Sequence, residues 1–199
     1  MKITPPQKKT HTHTIMKRIL FILALVMSTV TMMAEDEHLK FKGVEIDGNL
    51  SSFAKKLEGQ GFTISSVEDD YYKMTGTFTA QDVKLVVRAT PYSKIVYSVL
   101  VVYKPIHPWP SQEQHYRKIV ENLKNKYGTP SEEIWDVNTS LPEHYISEKK
   151  STAQTRFNCE NGEITIGIYN TLYVGVSTYI LYQDKENYAI YEEEVASDL

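Results

Sequence analysis

The chain has 199 residues, of which 41% are hydrophobic, and its 22 basic and 25 acidic residues give a formal charge of −3 at pH 7. This length is sufficient for one domain with its own hydrophobic core. The negative charge disfavours nucleic acid and anionic membranes as partners. Because Cys159 is the only cysteine, the chain cannot form an internal disulfide, and its stability must come from its core.

The first predicted element is a secretory signal peptide that starts at Met16, which makes Met16 a better candidate than Met1 for the natural start. Two basic residues follow Met16, an apolar segment spans 19–30, and Ala34 is a small residue in front of three acidic ones. A transmembrane anchor would have a longer apolar run and a basic flank. We therefore expect residues 1–34, an upstream extension plus the signal peptide, to be removed.

Export would also change the charge of the protein. Removal of residues 1–34 takes away five basic side chains and no acidic ones, so the remaining 17 basic and 25 acidic residues give a charge of −8. No cysteine directly follows the apolar segment to accept a lipid. We therefore expect a soluble periplasmic or secreted protein with no stable membrane anchor after cleavage.

Residues 35–104 are predicted to form the first of two units that each contain a helix and a sheet. Asn49 is placed to cap a helix, which Gly59 and Gly61 then stop. From Tyr71 the apolar residues alternate, which predicts three antiparallel strands with turns at TAQD and TPYS. The third strand lies in SKIVYSVLVVY, the most hydrophobic run outside the N-terminus.

A proline-rich joint at residues 105–110 separates this unit from a second predicted helix. Ser111 and Gln114 have the spacing of a capping box, so the helix is expected to start near Ser111. Gly128 and Pro130 end it. Its predicted apolar stripe is Tyr116, Ile119, Val120, Leu123 and Tyr127.

Residues 111–184 are predicted to repeat the first unit, and residues 185–199 to form a C-terminal helix. After a polar insertion come three apolar strands, TRFNC, EITIGIYN and TLYVGVSTYILY. When Tyr103 is aligned with Tyr182, the apolar positions of the two units coincide. The predicted fold class is therefore α+β, with two αβββ repeats whose helices pack on one face of an antiparallel sheet, plus the C-terminal helix.

Three short segments resemble a known class of proteins. They are FKGVEIDG before the first helix, KYGTP after the second, and the tail pattern D.EN......E...DL. They resemble small, uncharacterised exported bacterial proteins, and the tandem architecture is similar to the β-lactamase-inhibitor-protein-like fold. The resemblance spans most of residues 38–199. It implies that helices cover one sheet face and leave the other free to bind protein, but no binding residue of that inhibitor matches position by position.

Alternation along the strands separates two predicted sheet faces. The apolar face, expected to meet the helices, comprises Val83, Leu85, Val87, Ile95, Tyr97, Val99, Val101, Ile164, Ile166, Ile168, Val174, Val176 and Ile180. The opposite face carries Arg88, Arg156, Tyr169 and Tyr179, which are residue types common at the centres of protein interfaces. These four residues, with Trp109 in the joint, are the candidate binding residues for an unknown protein partner. An ordinary solvated face explains the same pattern equally well.

The sequence contains no motif that predicts catalysis, a metal ion or a cofactor. The adjacent acids at 68–70 lie in a turn, and the histidines lack the spacing of metal ligands. Two functions remain. One is an exported non-catalytic binding module, either inhibitor-like or an envelope assembly factor. The other is a small periplasmic hydrolase whose acidic groups converge only in the folded chain. The sequence favours the first.

Overall fold

The computed structural model describes residues 38–138, 140–171 and 175–197. The predicted signal peptide and Val174 lie outside these described residues. The strands are β1 (Lys40–Phe41), β2 (Val44–Glu45), β3 (Thr63–Val67), β4 (Tyr71–Phe78), β5 (Gln81–Ala89), β6 (Val96–Tyr103), β7 (Glu132–Asp136), β8 (Thr152–Cys159), β9 (Gly162–Thr171) and β10 (Gly175–Asp184). The helices are α1 (Leu50–Glu58), α2 (Trp109–Tyr127), α3 (Pro142–Ser147) and α4 (Lys185–Ala196).

The fold is α+β and is built on one large antiparallel sheet. Its eight strands have the order β3-β4-β5-β6-β10-β9-β8-β7, and β1 and β2 form a separate two-stranded ribbon. The central pair is β6 with β10, where Val101 lies opposite Ile180. The predicted C-terminal helix is confirmed as α4.

The hydrophobic core lies between the sheet and helices α1 and α2. Helix α1 buries Leu50, Phe53, Ala54 and Leu57, and its cap Asn49 accepts a hydrogen bond from the Ser52 amide. Helix α2 buries Tyr116, Ile119, Val120, Leu123 and also Gln112. Alternate sheet residues complete the core, among them Leu85, Val87, Val99, Val101, Ile164 and Ile166. Burial of these apolar side chains provides the main stabilising free energy.

Helix α2 begins at Trp109, two residues before the predicted start, so the prediction of a capping box at Ser111 was wrong. Pro108 occupies the cap position, and no side chain caps the helix. Pro110 lies in the first turn of the helix, where proline is favoured because the amide that it lacks would have no partner. Trp109 therefore lies in the first turn of α2, partly buried against the core.

Four strands, rather than the predicted three, follow α1, and four also follow α2. Strand β3 pairs with β4, and β7 pairs with β8, so the two additional strands are the edges of the sheet. Most side chains of both strands are exposed. Because they bury little apolar surface, their sequences TISSV and EEIWD lack a clear alternation signal.

Tyr97 does not belong to the helix-covered face to which it was assigned. The pairing of β5 with β6 shifts between Arg88, opposite Ser98, and Ala89, opposite Val96, so Tyr97 is an extra residue. Such a bulge changes the direction of the side chain. The Tyr97 ring instead stacks on Tyr191 of α4, with ring centroids 4.5 Å apart.

Helix α4 is joined to the start of the described chain by a buried carboxylate. Asp184 caps α4 by accepting a hydrogen bond from the Asn187 amide, and it also accepts one from the Leu39 amide at 2.7 Å. The His38 imidazole lies 3.2 Å from the same carboxylate and 3.9 Å from that of Asp47. These bonds, defined here as the Asp184 clasp, connect residues 38 and 39 with the C-terminal helix.

The clasp predicts a pH dependence of stability. Burial lowers the pKa of His38, but the hydrogen bond to Asp184 and the charges of Asp184, Asp47 and Glu186 outweigh burial and raise that pKa above its usual value. A raised pKa in the folded state stabilises the fold below the unfolded pKa of about 6.5, and this contribution is lost as the pH rises through the folded value. Chemical denaturation between about pH 6 and pH 9 should show that the free energy of unfolding falls with pH in the wild type and that His38→Gln removes this fall. If the free energy of unfolding depends on pH in the same way in both proteins, this prediction is contradicted.

Candidate binding face of the sheet

The face of the eight-stranded sheet opposite α1 and α2 is called the open face. Because strand side chains alternate, its members are the residues between those of the core. They include Tyr71, Lys73, Thr75, Thr77, Asp82, Lys84, Val86, Arg88, Ser98, Leu100, Val102, Gln154, Arg156, Asn158, Glu163, Thr165, Gly167, Tyr169, Ser177, Tyr179, Leu181 and Gln183.

Four of the five predicted site residues lie on the open face. Tyr169 and Tyr179 are in contact, with ring centroids 4.8 Å apart and planes at 82°, an edge-to-face arrangement. Arg156 and Arg88 lie on β8 and β5 respectively. Trp109 is not part of this face, because it lies in α2 and packs against the core.

Several small side chains of the open face are already buried. Ser98 is 1% exposed, Ser177 is fully buried, and Thr165 is 6% exposed, although none of them faces the core. In the strand pairing, Leu181 lies between Leu100 and Thr165, and Ser177 lies opposite Tyr169. Larger side chains of the open face are therefore direct neighbours of these small ones.

Tyr179 packs tightly against the sheet. Its ring covers Gly167 on the neighbouring strand so closely that a Cβ atom at Gly167 would lie 2.6 Å from the ring. Burial raises the pKa of the Tyr179 hydroxyl, and the charge of Arg156 opposes this shift only in part. Burial, together with Tyr179, also raises the pKa of Tyr169 against the charge of Arg88. Both hydroxyls therefore stay protonated at neutral pH and can donate hydrogen bonds.

The two arginines of the open face differ in their partners. The Arg156 guanidinium lies 3.5 Å from a Glu132 carboxylate oxygen and 3.2 Å from one of Glu163, on the strands to either side. Its charge is thus balanced within the fold. Arg88 is half-buried and forms no ion pair with any residue in 38–138, 140–171 or 175–197. Arg88 is consequently the more available of the two for a partner.

Three depressions border or cross the open face. One of about 440 Å³ crosses β3 to β6 and is lined by Thr63, Thr75, Thr77, Lys84, Val102 and Lys104 among others. Another of about 490 Å³ lies beside α4 and includes Asn158, Glu163, Gln183, Tyr188 and Glu192. A smaller one, about 240 Å³, lies beside Tyr169 and Tyr179. No group of three His, Cys, Asp or Glu side chains suited to a metal ion occurs within the described part of the chain.

The sequence interpretation missed two features of this region. Lys73 lies on the open face between Tyr71 and Thr75, and its alternation with the buried Met74 was a usable signal. Tyr188 and Tyr191 of α4 form an aromatic cluster with Tyr97. The cluster depends on the bulge in β6, for which the local sequence has no strong signal.

Comparison with models of protein families found no match, and searches of curated proteins and of solved structures also found none. Among the described residues, no helix has the length and apolar character needed to cross a membrane.

Proposed function

We propose that this protein is an exported, non-catalytic binding module that recognises another protein through the open face. The observation that supports this most directly is the asymmetry of the sheet. Helices α1 and α2 bury their apolar side chains on one face, while the other face has partly exposed Leu100, Leu181, Tyr169, Tyr179 and Arg88. Aromatic and arginine side chains are enriched at the centres of protein interfaces.

We also propose that the two halves are repeats of one helix-plus-sheet unit, similar to the β-lactamase-inhibitor-protein-like fold. The strand order is symmetric about the β6–β10 pair. The register supports the alignment of Tyr103 with Tyr182, since Val83 lies opposite Tyr103 as Ile164 lies opposite Tyr182. Side-by-side repeats of this kind would join their open faces into one continuous surface.

A small periplasmic hydrolase is the alternative function. It requires two carboxyl groups that converge in a cleft, one as acid and one as base. Within the described residues, Glu163, Asp184 and Glu192 line the depression beside α4. However, Glu163 already forms an ion pair with Arg156 and accepts a hydrogen bond from the Thr165 hydroxyl, and Asp184 is held in the clasp. Binding is therefore the better-supported proposal.

Site-specific photo-crosslinking tests the binding proposal. A photoreactive residue at Leu100, in the middle of the open face, should crosslink a defined partner in an envelope extract. The same residue at Lys56, exposed on α1, is the matched control and should not crosslink that partner. Arg88→Ala should reduce capture of this partner roughly 30-fold while leaving the melting temperature within about 2 °C.

Two outcomes would contradict the proposal. Equal crosslinking at Leu100 and Lys56 would indicate nonspecific contact, and the absence of any adduct at Leu100 would exclude the open face. Tyr179→Ala is a poorer test than expected from the sequence, because the ring packs on Gly167 and Tyr169 and its removal would also destabilise the fold. The mass of the exported protein tests the signal peptide separately, and a chain that retains residues 16–34 in the membrane fraction would refute it.

A further inference from the structure

Three positively charged side chains form a regular array on the open face of β4 and β5. In the strand pairing, Lys84 lies opposite Thr75, Lys73 opposite Val86, and Arg88 opposite Tyr71. Each of these three successive open-face pairs therefore carries one cation, which alternates between β5 and β4. We call Lys84, Lys73 and Arg88 the cationic ladder. Because same-face residues repeat every second position, the steps of the ladder are about 6.8 Å apart along the strands.

The charges of the ladder are not balanced by the described residues. None of its three side chains has a carboxylate within ion-pair distance in the parts of the chain that the structure describes. The nearby Asp82 carboxylate is paired with Lys104 at 2.7 Å. Glu68, next to the end of β3, accepts a hydrogen bond from the Ser66 hydroxyl.

Like charges on neighbouring strands repel each other, so a binding partner with negative charges would relieve this repulsion. The three unpaired cations of the ladder form a local positive region on a chain whose formal charge is −3. In the other half of the open face, by contrast, the charge of Arg156 is balanced by Glu132 and Glu163. The positive region is confined to the β3–β6 half.

We propose that the cationic ladder docks an extended acidic segment of the partner protein, with carboxylates at every second residue. This inference rests on the proposed function, because it names the chemistry of the partner that the open face binds. An extended chain presents same-side residues about 6.8 Å apart, which equals the step of the ladder. Three acidic side chains at alternate positions of that segment can thus each contact one cation.

The depression beside the ladder suits a polypeptide. It has a volume of about 440 Å³, and Thr63, Thr75 and Thr77 contribute hydroxyl groups beside Lys84 and Val102. Threonine hydroxyls both donate and accept hydrogen bonds, as the amide groups of a peptide require. Single-stranded nucleic acid is another polymer with regularly spaced anions. It is disfavoured because three cations on a negatively charged chain are a small electrostatic footprint.

A fluorescence anisotropy titration with synthetic peptides tests the ladder directly. The probe is a labelled nine-residue peptide in which glutamate alternates with threonine, and its control has glutamine in place of each glutamate. The purified chain should bind the acidic probe and not the control. Binding should weaken as the salt concentration rises from about 20 to 200 mM, because charge screening increases.

Paired variants separate a defined site from general charge attraction. The double variant Lys73→Gln plus Lys84→Gln should weaken binding of the acidic peptide at least tenfold. Lys55→Gln plus Lys56→Gln removes the same charge from exposed positions of α1 and should change the affinity by less than twofold. Equal weakening by both double variants would overturn the proposal. Tighter, ladder-dependent binding of decathymidylate would also overturn it, in favour of nucleic acid.

The crosslinked partner distinguishes failure of this inference from failure of the proposed function. If the Leu100 adduct forms normally in the Lys73→Gln plus Lys84→Gln variant, the open face binds a partner but the ladder does not select it. That result overturns the inference alone. Loss of the adduct in this variant, with retention in the Lys55→Gln plus Lys56→Gln control, supports both.

Discussion

Replacement of Asp184 by alanine should destabilise the protein by about 3 to 5 kcal/mol. The carboxylate is fully buried and accepts hydrogen bonds from the Leu39 and Asn187 amides, besides its contact with His38. Alanine would leave buried donors without an acceptor, and hydrogen bonds to a charged group contribute about 1.5 to 3 kcal/mol each. It would also remove the N-cap of α4, which typically costs about 1 kcal/mol.

Urea denaturation at pH 7 measures this loss as a change in the free energy of unfolding. Asp82→Ala is the matched control, because Asp82 is exposed and forms only a surface ion pair with Lys104. That substitution should leave the urea midpoint almost unchanged, because exposed ion pairs contribute little to stability. A loss below about 1 kcal/mol for Asp184→Ala would show that the clasp does not hold the C-terminal helix to the fold.

The core of this fold was largely predictable from periodicity. Four of the five residues in the predicted stripe of α2 are buried and Tyr127 is partly buried, because helices that cover a sheet must present apolar residues at helical spacing. Val83, Leu85 and Val87 are buried for the equivalent reason in a strand. These signals arise from the burial of apolar area, which is the largest favourable contribution to folding.

Features that depend on contacts distant in the sequence were less predictable. The clasp joins Leu39 to Asp184 across 145 positions, and nothing near either residue indicates the other. The edge strands β3 and β7 contribute backbone hydrogen bonds rather than apolar area, so their composition resembles that of loops. A one-residue bulge likewise moves Tyr97 to a different environment.

The candidate site was only partly predictable, for a related reason. Alternation placed Arg88, Arg156, Tyr169 and Tyr179 on one face, but it cannot report which charges are already paired. Arg156 is balanced by two glutamates that lie on other strands. Lys73 has no such partner among the described residues, yet a single lysine in a strand is not a distinctive pattern. Pairing across strands therefore decided which cations remain available.

Leu123→Ala should destabilise the protein by about 2 to 5 kcal/mol. Leu123 is 7% exposed and lies on the buried stripe of α2 with Ile119 and Val120. The substitution removes apolar surface from the core and leaves a cavity that its neighbours fill only in part. Alanine has the highest helix propensity, so the loss would reflect packing rather than weakening of the helix itself.

Glu121→Ala provides the control, since Glu121 is exposed on the same helix and its removal should change the free energy of unfolding by about 0.5 kcal/mol or less. Denaturation curves of both variants measure stability, and the Leu100 crosslinking assay, at a temperature where each variant remains folded, measures capture of the partner. Together the two measurements separate the role of the helix-covered face from that of the open face. Because Leu123 contacts the core and not the open face, Leu123→Ala should lower stability while leaving capture of the partner unchanged. A stability loss below about 0.5 kcal/mol would place this side of α2 in solvent. Lost capture in a folded variant would mean that the helix-covered face also contributes to binding.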